Sequence, residues 1–283
     1  MDHVRFVKME GAGNDYVLVD LFAESLAEGR GPELARIWSN RHFGIGSDGL
    51  ILLAPSERAD CRMLMWNADG SRGAMCGNGL RCVAKLASTR GRVPRPLMTI
   101  ECDSGVVRAE CLSSAEAEPG LVAVSLEAVT VAEVPSEITL DGRTWGYFPA
   151  SAGNPHAVIF VDEALDALPV AAVGTALQGA PEFPDGVNVE FVRPVGDGQL
   201  AQRIWERGSG ETMACGSGAT VAAVAALRHG RVVGPSVAVR SPGGEVRVRS
   251  SETGLVLEGP ARTVFSGEVP LPAPSSGAAR DFR

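Results

Sequence analysis

Two cysteines of this 283-residue chain occupy the same local setting. Met75-Cys76-Gly77-Asn78-Gly79 and Ala214-Cys215-Gly216-Ser217-Gly218 each place a thiol before a glycine-rich turn, and each turn opens an apolar run with helical spacing. A thiol at a helix N-terminus titrates below its ordinary value of about 8.5. The glycines let backbone N–H groups face an anion, helped by the positive end of the helix dipole. A carboxylate held between two such turns would have a sulfur on each side of its α-carbon. One sulfur, as thiolate, would remove the α-proton while the other, as thiol, supplies a proton to the opposite face, inverting the stereocentre. Converging N–H donors would stabilise the charge that spreads into the carboxylate. No flanking lysine stands as an obvious Schiff-base partner, so pyridoxal phosphate is not implied and no cofactor is expected.

A cysteine before a glycine-rich turn is, taken alone, most often a buried structural residue. Repetition changes that weighing. Trp66 and Trp205 each lie ten residues before their cysteine, and Gly105-Val106-Val107-Arg108 and Gly244-Glu245-Val246-Arg247 each lie 29 to 32 after it. An offset of 139 carries one segment onto the other, and Ala12-Gly13-Asn14 maps onto Ala152-Gly153-Asn154 at 140. This is the mark of two copies of one structural unit. Cys61, Cys82, Cys102 and Cys111 have no repeated partner and read as packing or surface thiols. With no CxxC and no His/Cys cluster, neither a zinc site nor any other metal site is expected.

The elements that must position these cysteines are short strands and a few helices. Val4 to Met9 and Tyr16 to Val19 read as strands around a turn; 32–40 reads as a helix with Leu34, Ile37 and Trp38 on one face. Leu50 to Leu53 and Arg62 to Trp66 read as strands, and Leu80, Val83, Ala84 and Ala87 mark a helix face after the first cysteine. The run 219–227 is apolar on every side and demands burial all round, which a helix wrapped by a curved mixed sheet provides. The expected fold is α/β (α+β), with two pseudo-symmetric halves. Each is a curved mixed sheet or barrel around a central helix. Residues 1–118 form the half carrying Cys76 and 119–261 the half carrying Cys215, with 262–283 returning to the first. A net charge of −8 and a pI near 5.1 disfavour a nucleic-acid partner. No apolar run is long enough to span a bilayer, and the first residues lack the pattern of a signal peptide. Six cysteines without close pairing suit a reducing cytoplasm.

These motifs resemble the diaminopimelate epimerase family, a group of pyridoxal-independent amino-acid epimerases. The resemblance runs over nearly the whole chain. It is carried by Gly11-Ala12-Gly13-Asn14-Asp15-Tyr16, Arg41-His42-Phe43-Gly44-Ile45-Gly46, Trp66-Asn67-Ala68-Asp69-Gly70-Ser71, Met75 to Arg81, Gly153-Asn154-Pro155-His156, Gly186-Val187-Asn188, and Glu206-Arg207-Gly208 through Gly218. It implies that Cys76 and Cys215 are the acid/base pair and that Gly77, Asn78, Gly216 and Ser217 hold the reacting carboxylate and amine. It assigns the far end of the substrate to Asn67, Asn154, Asn188, Glu206 and Arg207, with Asn14 lining the pocket. The chemistry agrees, since Arg takes a carboxylate by two prongs and Glu attracts an ammonium. His156 and Glu206 are implied to tune the thiols. The implied reaction is epimerisation of LL- to meso-diaminopimelate, a step towards lysine and peptidoglycan, in a homodimer. One departure stands out: some members carry Gln where this chain has Gly49. That leaves a racemase of another amino acid as an alternative, and from a different class a thiol–disulfide redox protein pairing Cys76 with Cys215.

Overall fold

A computed structural model describes residues 3–73, 75–126, 128–251 and 254–273. Its first part holds strands β1 (His3–Gly11) and β2 (Asn14–Asp20), helix α1 (Gly31–Trp38), then β3 (Gly49–Ala54), β4 (Cys61–Asn67) and β5 (Arg72–Gly73). Helix α2 (Gly77–Thr89) follows, and after it β6 (Leu97–Cys102), β7 (Gly105–Cys111) and β8 (Gly120–Leu126). The second part runs β9 (Thr130–Val131), β10 (Ser136–Leu140), β11 (Arg143–Ser151), β12 (Pro155–Phe160), α3 (Val170–Gln178), β13 (Asn188–Gly196), β14 (Gln199–Glu206) and β15 (Gly210–Thr212). It closes with α4 (Gly216–Arg228), β16 (Ser236–Ser241), β17 (Gly244–Ser251) and the long β18 (Gly254–Pro270). The repeat is visible in these bounds. The starts of α3, α4, β16 and β17 lie 139 residues after those of α1, α2, β6 and β7.

Pairing makes the two copies into rings. β1, β2, β3, β4, β6, β7, β8 and β18 are bonded in that cyclic order, and β18 returns to β1. The second circuit runs β9, β11, β12, β13, β14, β16, β17, β18 and β8, and β8 leads within three residues into β9. The parallel steps β2–β3 and β4–β6 recur as β12–β13 and β14–β16. β18 belongs to both circuits: Leu255 to Ala261 pairs with β8, and Arg262 to Pro270 with β1. Residues 274–283 of the expected returning segment lie outside the described residues.

Each ring encloses a helix. Residues 77–87 of α2 are all buried, and α4 buries Gly216, residues 218–223, Ala225 and Ala226. A helix inside a closed sheet has no solvent face, which is why the run 219–227 carries no polar stripe. Helix α2 does carry polar residues; two of them reach carbonyls of neighbouring segments, although Arg81 Nη1 and Nη2 are buried with no partner among the described residues. Arg81 Nε donates to the Pro260 carbonyl at 3.1 Å, and Lys85 Nζ donates to Ala117 O at 2.6 Å and pairs with Glu118. The other two helices cover the sheet from outside: α1 through Leu34, Ala35 and Trp38, and α3 through Val170, Val173 and Leu177. Ile37, expected on the inner face of α1, is 41% exposed; the buried stripe runs through 31, 34, 35 and 38 instead.

One apolar cluster joins the interiors of both rings and includes Leu257 of β18, which is fully buried. Leu257→Ala should destabilise the protein by about 2–5 kcal/mol, because the cavity would open where both inner helices begin. A lowered urea midpoint would register it.

Candidate active site

Both cysteines are helix N-caps in extended conformation, with φ −145° at Cys76 and −135° at Cys215. Each sulfur accepts a hydrogen bond from the amide three residues on, Gly79 N and Gly218 N, both at 3.4 Å. This satisfies one of the orphan donors at each helix start and points the remaining amides of the first turn outward. The two starts converge. A Cβ added to Gly77 or to Gly216 would lie 3.1 Å from the same Leu257 methyl, Cδ2, and at Gly216 also 3.2 Å from Asn78 Oδ1. Glycine at both positions is what allows this approach. Asn78 Nδ2 donates to Asn14 Oδ1, and Asn14 Nδ2 donates to Asp48 Oδ2 at 3.3 Å. Asp48 is held in turn by Arg41, which also grips Asp15. Asn78 Oδ1 is buried with no partner among the described residues.

The frame is symmetric but the surroundings of the two sulfurs differ. Behind Cys76 stands Tyr16, buried, with its hydroxyl 3.0 Å from the sulfur. Burial first, and then the neighbouring Cys76, push the phenol well above its ordinary value, so it keeps its proton. Arg81, fully enclosed, adds a cation on this side. Around Cys215 the groups are acidic. Glu206 hydrogen-bonds with Cys215 and accepts from Thr212 Oγ1. Burial raises the Glu206 carboxyl, Thr212 and Cys215 oppose the rise, and the charge of Glu190 adds to it. Burial likewise drives the Cys215 thiol well up, reinforced by Glu206 and Glu190 and opposed by donors from Ser217 and Gly218.

The residues expected to hold the far end of a substrate fall into linked groups. Asn188 Oδ1 accepts from the Arg207 amide at 2.8 Å, and the Arg207 side chain lies over Gly186 and donates to Asp185 O. Asn188 pairs in register with His156, whose Nε2 lies 3.1 Å from Asn154 Oδ1. Asn67 is exposed at the end of β4, opposite Gly49 in the ladder, with Nδ2 donating to Ser71. Across the molecule the turn at Gly13 packs on Met213 and Gly243, so the loop carrying Asn14 also touches the segment before Cys215. His42 lies in an exposed loop. At Gly49 a Cβ would fall 2.3 Å from the Trp66 carbonyl oxygen, so no side chain enters there without moving the backbone.

Sequence reasoning singled out neither Tyr16 nor Glu190 for a role at the sulfurs, although the offset held the signal. At 140 Tyr16 maps onto His156, and at 139 Ile51 maps onto Glu190 and Asn67 onto Glu206. Asking what the repeat places opposite His156 would have found Tyr16; Glu190 stands opposite Ile51, to which no role was implied.

The sequence pattern of the family described as diaminopimelate epimerase matches residues 6–130 and 148–264. A diaminopimelate epimerase of Geobacillus thermodenitrificans is 42% identical over 276 residues, covering 93% of this chain and 95% of that protein. Another, of Leptospira biflexa, is 39% identical, covering 95% and 99%. Among solved structures the fold is similar to a hydroxyproline epimerase from Agrobacterium vitis (TM-score 0.74, 18% identity, 96% of this chain and 94% of that one). It is also similar to a phenazine biosynthesis protein of the PhzF family from Bacillus anthracis (TM-score 0.73, 18% identity, 96% and 100%). These two are likenesses of fold alone.

Tyr16→Phe removes only the hydroxyl that meets Cys76. A hydrogen bond contributes about 0.5–1.5 kcal/mol, so loss of this contact should lower kcat/KM for diaminopimelate several-fold, which a steady-state assay checks.

Proposed function

The chain belongs to the diaminopimelate epimerase family of isomerases, and from that premise we propose that it interconverts LL- and meso-2,6-diaminopimelate by proton transfer between Cys76 and Cys215. One sulfur, as thiolate, takes the α-proton and becomes a thiol. The α-carbon holds the electron pair, delocalised into its carboxylate under the amides of the two helix starts. The other thiol gives its proton to the opposite face and is left as thiolate. The reaction leaves the two sulfurs with their protonation exchanged and needs no other reagent. The observation that carries this reading is the convergence of two sulfur-capped helix starts on one Leu257 methyl.

Gly77, Asn78, Gly216 and Ser217 then hold the reacting carboxylate and amine. At the far end Arg207 takes the second carboxylate while Asn67, Asn154, Asn188 and Glu206 orient the second amine, with Asn14 at the wall. His156 and Glu206 tune the thiols. The halves divide near residue 118, the segment from 262 returns to the first, and the enzyme works in the cytoplasm as a homodimer on the path to lysine and peptidoglycan precursors. Arg207 is supported in its role by its exposure, with its Cγ and Cδ over Gly186, its backbone amide on Asn188 Oδ1 and its guanidinium donating to Asp185 O.

Turnover in deuterated water should place deuterium at the α-carbon of the product. Cys76→Ala and Cys215→Ala should each lower turnover by about 10²–10⁴-fold, the usual contribution of a positioned acid or base. Full-rate epimerisation by either variant would refute the two-thiol mechanism. Arg207→Gln should raise KM for diaminopimelate about tenfold or more, through loss of a charge-assisted pair, with kcat changed far less.

A further inference from the structure

Glu190 lies where an apolar residue would be the cheaper choice. Its counterpart in the first half is Ile51, and the two stand at equivalent points behind the inner helices. A Cβ at Gly79 would meet Ile51 Cδ1 at 2.9 Å; a Cβ at Gly218 would meet Glu190 Oε1 at 2.7 Å. Those two glycines are the ones whose amides bond to the cysteine sulfurs. Glu190 and His156 are both fully buried, with Glu190 Oε1 2.7 Å from His156 Nδ1. The other ring nitrogen faces Asn154 Oδ1, so His156 is clamped between two oxygen atoms. Glu190 Oε2 has no partner among the described residues. Burying a carboxylate with one oxygen unpaired costs stability, and an isoleucine fills the matching site in the other half without that cost.

We propose that Glu190 is a positioning residue for Cys215: it holds His156 against Asn154 and sets a carboxylate behind Gly218, so that Cys215 is kept protonated in the free enzyme and enters the cycle as the proton donor. This rests on the two-thiol reading given above. The titratable groups facing Glu190 are His156 on β12, Glu206 on β14 and Cys215 at the start of α4. Of the two carboxylates near Cys215, Glu206 belongs to the implied substrate set. Glu190 sits behind the helix and isolates the electrostatic contribution. The rise in the Cys215 thiol, caused first by burial and then by Glu206 and Glu190, agrees in sign.

The experiment compares the pH profile of kcat/KM in wild type, Glu190→Gln, Glu190→Ile and Glu190→Asp, with thermal unfolding to identify the folded variants. Removing the charge favours the Cys215 thiolate, so the alkaline limb should move down by about one pH unit in the Gln and Ile proteins. Iodoacetamide labelling at pH 8 should show Cys215 reacting several-fold faster relative to Cys76. Glu190→Asp keeps the charge and should keep the wild-type limb. An unmoved limb with unchanged labelling in a folded Gln or Ile protein overturns the proposal. So does an equal displacement in the Asp protein, which would mark a purely structural effect. Cys76→Ala and Cys215→Ala are assayed in parallel. If both are inactive while the Glu190 variants leave the limb in place, only the role of Glu190 falls; full turnover in either removes the two-thiol reading and this proposal together.

Discussion

Two helix starts meet head to head at the centre of this molecule, and the rest of the structure accommodates that meeting. Each N-terminus carries the equivalent of about half a positive charge and several amides without intrahelical partners. Bringing two together away from water is unfavourable unless something negative or strongly accepting lies between them. The sulfurs at the N-cap positions, each taking one amide, supply part of that. A bound carboxylate would supply the rest, and this is why a site built from two helix starts selects an anionic substrate.

The rings hold the helices in this arrangement. A single helix end at a protein surface would be free to fray, but here each helix is enclosed and β18 runs through both enclosures. Leu257 lies on that shared strand, so a side chain of β18 stands against both Gly77 and Gly216. The geometry of the sulfurs is therefore a property of the core, where displacements are resisted by close packing.

Within this symmetric frame the electrostatics are lopsided. A phenol and an enclosed guanidinium stand near Cys76, whereas two carboxylates and an imidazole stand near Cys215. A two-base exchange needs its partners to differ at the start of each turnover, with one protonated and the other not. The repeat sets two sulfurs in equivalent places, and the differences at Tyr16/His156, Ile51/Glu190 and Asn67/Glu206 make their surroundings inequivalent.

The repeated spacing, the cysteines before glycine turns and the all-apolar run 219–227 were enough to read two copies of one unit, each sheet wrapped on a helix with its thiol at the N-terminus. Those features are local, and local chemistry leaves few alternatives. Glycine after an N-cap permits the close approach, and a helix with no polar face must be buried on every side. The groups behind the sulfurs were hidden for a matching reason. In Val189-Glu190-Phe191 the alternation reads as a strand with its glutamate towards solvent. Val189 and Phe191 do pack under α3, but the opposite face of that strand looks into a closed ring. Alternation along one strand distinguishes its two faces and cannot say whether the polar face meets water or a second buried helix. Closure of the sheet decided that, and with it the placement of a charge behind Cys215.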